Sequence, residues 1–395
     1  MNKQKKKAKV TLISLLPYIV GGVIGLLIVF IRRHFYETEA AASGASFALD
    51  TFALLAIFLS IALGYILHIV LHETGHLIAG YFSGYKFVSF SVGSIIIIKQ
   101  NGTLKIKRFT IDGAAGQCLM SPPEPIDHTY PFTLYYLGGG LMNLMTSGLL
   151  FTLYLFLRDV FPYAGYIFIP AFGVGLIIGF MNLLPLKIGG LATDGHIVAS
   201  LKRNEQDWQA HWLLLTANER ITSGERVKNL PTEWFNFSES YDFNDVILAN
   251  LATMGVSRFI DAHDFCAAKK LAVEILDRGD KLIGLLKNET RCDLLFLEIV
   301  GEPSQERKDE IERLFTPALE KYIKASKTHL SKHRLMYAYA KLVLFDDEKA
   351  KQTLAVFNKV CLVYPYTGDR ESEQELISII DNLAVERCNE RDITA

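Results

Sequence analysis

The sequence predicts a polytopic α-helical membrane protein that carries a soluble, all-α domain at its C-terminal end. Half of the 395 residues are apolar, and every long uncharged stretch lies in the first 200 residues. The rest of the chain mixes charged and apolar residues at helical spacing, as soluble helices do. We therefore expect an N-terminal transmembrane helix and loop over residues 1–50, a membrane core over 51–200 and a helical domain over 201–395.

Four stretches are long enough to cross a hydrocarbon core about 30 Å thick at about 1.5 Å per helical residue. They are Val10–Ile31, Thr51–Phe82, Pro131–Leu157 and Phe161–Leu186. Lysines precede the first stretch, so a signal peptide is the alternative interpretation. We favour a retained helix, because the stretch is longer than a usual signal sequence and Arg32 and Arg33 separate it from any cleavage site.

The charges beside the first span predict how the chain is oriented in a cell membrane. Five lysines precede the span, at positions 3, 5, 6, 7 and 9, and two arginines follow it. Cytoplasmic ends carry the excess of Lys and Arg, so the N-terminus is expected in the cytoplasm. Four spans return the chain to the same side, which predicts a multi-pass protein with a cytoplasmic C-terminal domain.

Residues 86–113, between the second and third spans, predict a small cytoplasmic β-hairpin. Phe87–Ile98 and Thr103–Ile111 are rich in β-branched and aromatic residues, and Asn101-Gly102 between them favours a type I′ turn. An exposed strand edge can pair with an extended peptide. One hypothesis is therefore that Phe87–Ile98 is a template for a peptide substrate, and the alternative is a simple linker.

The most informative motif lies in the second span, where His72, Glu73 and His76 form an H-E-x-x-H sequence. Glu73 is the only charged residue from Thr51 to Tyr85. A carboxylate at membrane depth costs roughly 2.5–3.5 kcal/mol on insertion scales, so such a residue usually has a function. Two histidines four positions apart lie on one helix face and can bind one zinc ion, while the glutamate activates the zinc-bound water.

A catalytic zinc site uses three protein ligands, so one more acidic or histidine side chain is needed. Asp194 is the only carboxylate from Phe161 to its own position, and it follows the fourth span near the level expected for the histidines. It can alternatively be a helix cap. His196 competes with it as a ligand, whereas His68, one turn before His72, is expected to pack or to support the ligands.

Asn182–Pro185 is an N-x-x-P sequence, and Asp194-Gly195 is a D-G sequence that follows it. Together with H-E-x-x-H in an earlier span, these motifs resemble those of the site-2 protease family of intramembrane zinc metalloproteases. The resemblance covers roughly residues 51–200. Gly138–Gly140 followed by Asn143 is similar to the glycine-rich turn and asparagine of the family's middle core helix, although the glycines can equally serve helix packing. The aspartate lies farther from the proline than is common in the family.

The resemblance implies a set of site residues and an activity. The implied zinc ligands are His72, His76 and Asp194, with Glu73 as general base and acid, and Asn143 and Asn182 contact the substrate or the oxyanion. The implied activity is hydrolysis of peptide bonds in membrane-embedded or membrane-associated peptides within the lipid bilayer.

The region after residue 201 predicts a helical, solenoid-like domain. Arg258–Leu276 and Tyr337–Phe357 resemble helix-turn-helix units, with aromatic and small residues where tetratricopeptide repeats pack their helices. Their separation is not a multiple of that repeat, so no repeat family is assigned. We expect the domain to bind a cytoplasmic protein partner or to control substrate entry, and the alternative is that it only stabilises the membrane core.

Two other classes of function compete with hydrolysis. One is a non-hydrolytic, metal-binding membrane scaffold or signalling receptor that acts through its C-terminal domain, and the other is an ion transporter. A scaffold needs metal ligands but no base, so Glu73 favours the hydrolase, and four spans are few for a transporter. The net charge of −1 gives no electrostatic reason to expect a nucleic-acid partner.

Overall fold

The computed structural model describes residues 46–394, except 101, 112, 113, 128, 162, 189 and 190. The predicted first span, Val10–Ile31, lies outside the described residues, as do the charges from which the orientation was inferred. The described chain divides into two compact units. We call residues 46–83 with 131–199 the three-helix unit, and residues 84–130 with 200–394 the sheet-and-helix unit.

The helices and strands follow one another in a simple order along the chain. They are α1 (Ser46–Phe82), β1 (Lys86–Val92), β2 (Ile95–Gln100), β3 (Thr103–Arg108), β4 (Gly116–Ser121), α2 (Phe132–Leu157), α3 (Ala164–Leu183), β5 (Lys187–Ile188), β6 (Leu191–Ala192), α4 (Asp194–Leu201), α5 (Glu205–Ser223), α6 (Val246–Asp261), α7 (Phe265–Arg278), α8 (Gly284–Val300), α9 (Gln305–Leu314), α10 (Pro317–Ala325), α11 (Leu330–Tyr339), α12 (Asp347–Val363) and α13 (Thr367–Thr394). Short 3-10 turns at Val227–Asn229 and Thr232–Phe235 separate α5 from α6, and a π-helical turn at Ala340–Leu344 extends α11.

In the three-helix unit, α1, α2 and α3 are each long and apolar enough to cross a membrane. They coincide with the second, third and fourth predicted spans. Large apolar side chains on α1 point away from the protein, with Leu55 66% exposed and Phe58 64% exposed. Such side chains are stable where the surroundings are lipid, and the helices satisfy their own backbone hydrogen bonds there. The unit is therefore compatible with a place in a bilayer.

Small residues allow the three helices to approach one another closely. A Cβ atom at Gly75 of α1 would lie 2.3 Å from the carbonyl oxygen of Gly138 on α2. A Cβ at Gly138 would lie 2.5 Å from that of Ala79, and a Cβ at Gly140 would lie 2.7 Å from Cγ of Leu183 on α3. Helix interfaces in membranes use such residues because backbones then come into direct contact. Gly138 and Gly140 thus serve helix packing.

The region predicted as a β-hairpin is instead part of a four-stranded antiparallel sheet of order β3-β2-β1-β4. The stretch Phe87–Ile98 folds back at Gly93, which has a φ of 58°, and forms two strands in place of one. Both of these strands are interior, and the edges of the sheet are β3 and β4. The hypothesis that Phe87–Ile98 is an exposed edge is therefore wrong, because both of its sides are already paired.

The sheet packs with the C-terminal helices, which differs from the expected grouping of the hairpin with residues 51–200. The side-chain amide of Gln100 donates to the carbonyl oxygens of Thr222, at 3.2 Å, and Pro365, at 2.9 Å. The indole of Trp212 donates to the carbonyl oxygen of Pro123 at 3.0 Å. These bonds join residues far apart in sequence, so sequence order alone does not reveal the grouping.

The remainder of the sheet-and-helix unit is helical in its described residues, and both predicted helix-turn-helix units are present. Arg258–Leu276 includes the end of α6 and most of α7, and Tyr337–Phe357 includes the end of α11 and most of α12. Each turn holds a residue in the left-handed region, with φ of 60° at His263 and 55° at Phe345. Among these helices, α6 packs against α7, α7 against α8 and α11 against α12, and α8 also packs against α11. Helices α6 to α13 contribute to one apolar core.

Candidate metal centre

Three side chains of the three-helix unit converge in a group that can hold a metal ion: His72, His76 and Asp194. The two Nε2 atoms of the histidines lie 3.1 Å apart. Oδ2 of Asp194 lies 3.2 Å from Nε2 of His72 and 3.5 Å from Nε2 of His76. The three potential ligand atoms therefore form a nearly equilateral triangle, although the aspartate is far from the histidines in sequence.

The carboxylate of Asp194 is in the state that a metal ligand requires. Burial alone would raise the pKa of Asp194, but the adjacent His72 and His76 imidazoles outweigh this effect and lower the pKa to about 2. The group is therefore ionised at neutral pH, and ligands bind metals in the deprotonated form. Its Oδ2 atom is buried, and no hydrogen bond to it is found among the described residues. A cation at the centre of the triangle would satisfy this oxygen.

A short hairpin brings Asp194 back towards α3. β5 and β6 pair antiparallel, and the hydroxyl of Thr193 donates to the carbonyl oxygen of Leu184 at 2.6 Å and accepts from the backbone N–H of Leu186 at 3.1 Å. A Cβ atom at Gly195 would lie 2.1 Å from the carbonyl oxygen of Leu183, so only glycine fits there. The long segment between proline and aspartate thus folds upon itself, and Asp194 begins α4 beside the end of α3.

Residues of α2 contact the Nδ1 atoms of both imidazole rings. Nδ1 of His76 donates to the carbonyl oxygen of Tyr135 at 2.8 Å, which leaves Nε2 of His76 facing the triangle. The side-chain amide of Asn143 lies 3.1 Å from Nδ1 of His72 and 3.3 Å from Nδ1 of His68. His68 and Asn143 are fully buried, at 0% exposure. The amide of Asn143 therefore contacts a ligand of the triangle and has no exposed surface for a substrate.

Gly139 of α2 faces the ligand nitrogens of both histidines. A Cβ atom there would lie 2.5 Å from Nε2 of His76 and 2.8 Å from Nε2 of His72. Tyr135, Gly139 and Asn143 are spaced by four residues and so share one face of α2. Tyr135 was not singled out from the sequence, and Gly139 was noted only as part of the glycine run Gly138–Gly140. Their spacing from Asn143 on the third span is the signal that identifies this face.

The other residues that the sequence singled out lie in different surroundings. Glu73, which lies between the two histidines in sequence on α1, is buried, with 8% of its surface exposed. Asn182, near the end of α3, donates to the carbonyl oxygen of Ile178 within its own helix at 3.0 Å. Among the described residues, the ligand group includes neither His196 nor His68. The structure thus brings together the three implied ligands, whereas the side chain of Asn182 contacts the backbone of its own helix.

Comparison of this chain with protein families, with curated proteins and with solved structures finds no match.

Proposed function

We propose that the protein is an intramembrane zinc metalloendopeptidase that hydrolyses membrane-embedded or membrane-associated peptides. The observation that carries the proposal is the triangle of two imidazole nitrogens and one carboxylate oxygen, built on a helix that is apolar enough to span a membrane. The likeness of its motifs to those of the site-2 protease family supports the same activity. Glu73, which a purely metal-binding scaffold would not need, distinguishes this proposal from a non-hydrolytic one.

The dimensions of the triangle fit zinc. With bonds of about 2.0–2.1 Å to nitrogen and oxygen, tetrahedral zinc needs its ligand atoms about 3.3–3.4 Å apart. The edges between His72, His76 and Asp194 are 3.1, 3.2 and 3.5 Å. Three protein ligands leave the fourth tetrahedral position open, which is typical of catalytic rather than structural zinc sites. A zinc ion held here would polarise a carbonyl group and lower the pKa of a water molecule.

Within this proposal Glu73 is the general base and acid. It is the only charged residue of its span and lies between the two histidines in sequence. Burial keeps its carboxylate out of bulk water. In such a buried site a base can act on a bound water molecule without competition from solvent. Glu73 takes the proton from the attacking water and returns it to the amine that leaves.

We propose a positioning role for Asn143, in place of the substrate contact that the family resemblance implies. A histidine that binds metal through Nε2 carries its proton on Nδ1, and this proton needs an acceptor. The oxygen and nitrogen of a side-chain amide are assigned from their hydrogen bonds, so the amide of Asn143 can present its oxygen to His72. Its nitrogen then donates to His68. Asn182, which is only partly buried, is still proposed to contact the substrate.

Metal analysis of the purified full-length protein in detergent tests the ligand set. We expect about one zinc ion per chain in the wild type, since the described residues form one such triangle. His76→Ala and Asp194→Ala should lose the metal, because each removes one of three ligands. His333→Ala, which changes a histidine of the other unit, is the control and should keep it. A wild-type protein that holds no transition metal would refute the proposal.

The Glu73→Gln variant tests hydrolysis separately from metal binding. It should retain zinc and lose activity, since glutamine keeps the size of the side chain but cannot take a proton. Peptides that accumulate in cells with the variant but not with the wild type would be substrates. Zinc binding with identical peptide profiles in both would instead favour a metal-binding scaffold.

A further inference from the structure

The sheet-and-helix unit contains a cavity of about 320 Å³ that is separate from the metal centre. Residues of α6, α8, α11 and α13 line it, and this volume is at the lower end of the range for small-molecule sites, about 300–1,000 Å³. Its lining includes apolar residues, such as Met254, Leu286 and Leu376, and polar residues, such as Thr253 and Ser257. A mixed lining of this kind suits a ligand with both apolar and polar groups.

Acidic side chains outnumber basic ones around this cavity. Four carboxylates line it: Glu289, Asp293, Asp369 and Glu373. Lys332, beside the cavity, pairs with Glu289 at 2.8 Å, and Arg334 in the lining pairs with Glu373 at 2.7 Å. His329 also lines the cavity and is cationic only when protonated. Two carboxylates, those of Asp293 and Asp369, are thus left without a lysine or arginine partner of their own among the described residues.

Asp293 is the more deeply buried of these two residues. It is only 7% exposed, and no ion pair to its carboxylate is found among the described residues. Burial raises the pKa of Asp293 to about 6, against the opposing charges of Lys332 and Arg334. A buried ionised group without a partner costs several kcal/mol by general estimates. A cationic ligand would remove this cost, whereas an anionic one would increase it.

Arg334 provides the complementary polar group in the same cavity. The residue is 2% exposed, and its guanidinium stacks on the ring of Phe296 at 3.8 Å from the centroid. Nε of Arg334 donates to Glu373, but its buried Nη1 has no acceptor among the described residues. A buried N–H group without an acceptor costs about 1–3 kcal/mol. An oxygen acceptor on a ligand would satisfy it.

We propose that this cavity binds an α-amino group together with its neighbouring carbonyl, with the ammonium beside Asp293 and the carbonyl or carboxylate oxygen beside Arg334. A primary ammonium has three N–H donors and is the natural partner of a buried carboxylate. This chemistry occurs in a free amino acid and at the amino terminus of a peptide. The proposal does not depend on the activity of the metal centre.

Calorimetric titration of the purified full-length protein in detergent tests the proposal and distinguishes the two sources. The probes are free alanine, leucine and lysine, and tripeptides that begin with each of these residues and continue with two alanines. Saturable binding of tripeptides alone indicates a peptide terminus, and binding of amino acids alone indicates a free amino acid. N-acetylation, which removes the ammonium, should weaken binding at least tenfold. Absence of binding by every probe, or equal binding of the acetylated forms, overturns the proposal.

Asp293→Asn tests whether the binding lies in this cavity. The variant keeps the size of the side chain and removes the charge, so binding of the ammonium-bearing probe should weaken at least tenfold. It breaks no ion pair, so the fold should be retained, which circular dichroism checks. Asp280→Asn, at an exposed carboxylate of the same unit, is the matched control and should bind as the wild type does. Wild-type affinity in Asp293→Asn would overturn the assignment.

Discussion

Gly139 on α2 and His76 on α1 are in such close contact that the glycine has no room for a side chain; a Cβ atom would lie 2.5 Å from Nε2 of the histidine. The shape of the triangle therefore depends on a residue that contributes no ligand atom. This contact couples the packing of two helices to the position of the metal ligands.

We expect Gly139→Ala to weaken zinc binding at least tenfold, because the methyl group must displace one or both imidazole rings. Gly148→Ala is the matched control on the same helix, since nothing lies within 4 Å of a Cβ atom there. Zinc content after dialysis against graded chelator concentrations measures the effect. Equal zinc retention by the two variants would show that the rings have room to move.

The proposed role of Asn143 predicts a loss of metal affinity and not only of substrate affinity. Replacement of residues that orient a metal-binding histidine typically costs about 10–100-fold in affinity. Asn143→Ala should show such a loss, and Asn143→Asp should restore much of it, because a carboxylate also accepts a hydrogen bond from the Nδ1–H group of His72. If Asn143→Ala kept wild-type zinc affinity but raised the substrate KM, the family's substrate contact would be the correct role.

The hydroxyl group of Thr193, in the hairpin between α3 and α4, is expected to affect the position of the third ligand, Asp194. Thr193→Val removes the bonds to Leu184 and Leu186 at nearly constant volume, which costs about 1–3 kcal/mol for unsatisfied partners. Thr193→Ser keeps the hydroxyl and is the control. We expect zinc affinity to fall for valine and to stay close to wild type for serine. A titration with a fluorescent chelator as competitor measures both, and wild-type affinity in Thr193→Val would contradict the role of the hydroxyl.

The raised pKa of Asp293 predicts that the stability of the protein depends on pH. This pKa is raised from 3.8 to about 6 on folding, chiefly by burial, so the folded state bears a penalty when the carboxylate ionises. The penalty is absent below about pH 4, grows as the pH rises to about 6 and is then constant. Asp293→Asn should therefore gain Tm relative to the wild type between pH 4 and about 7, by up to several degrees. A Tm difference that does not change over this range would contradict the raised pKa.

Periodicity and motif spacing allowed much of the three-helix unit to be predicted. Two histidines four residues apart must share a helix face, and long apolar stretches must form helices if they are to satisfy their backbones in lipid. Asp194 was identified because it is the only carboxylate near the end of the last span. Each of these inferences uses information within one segment of the chain, or the scarcity of charge in a membrane.

The rest required contacts between segments that sequence spacing does not encode. Gly93 ends β1 early, yet a single glycine within a β-branched stretch does not by itself indicate a fold-back. The pairing of Gln100 with Thr222 and Pro365 assigns the sheet to the C-terminal helices, and no local pattern predicts that choice. The carbonyl oxygen of Tyr135 is likewise a backbone group that any residue at this position would supply.

The hairpin that precedes Asp194 has a consequence for the apoprotein. An ion in the triangle would act as a cross-link between α1 and the start of α4, closing a long loop of chain much as a disulfide would. Without that cross-link, the Nε2 atoms of His72 and His76 contact each other and Asp194 among the described residues. β5 and β6 form few backbone hydrogen bonds to hold the hairpin that precedes Asp194. Removal of the metal by a chelator should therefore expose this hairpin to proteolysis before the three long helices separate.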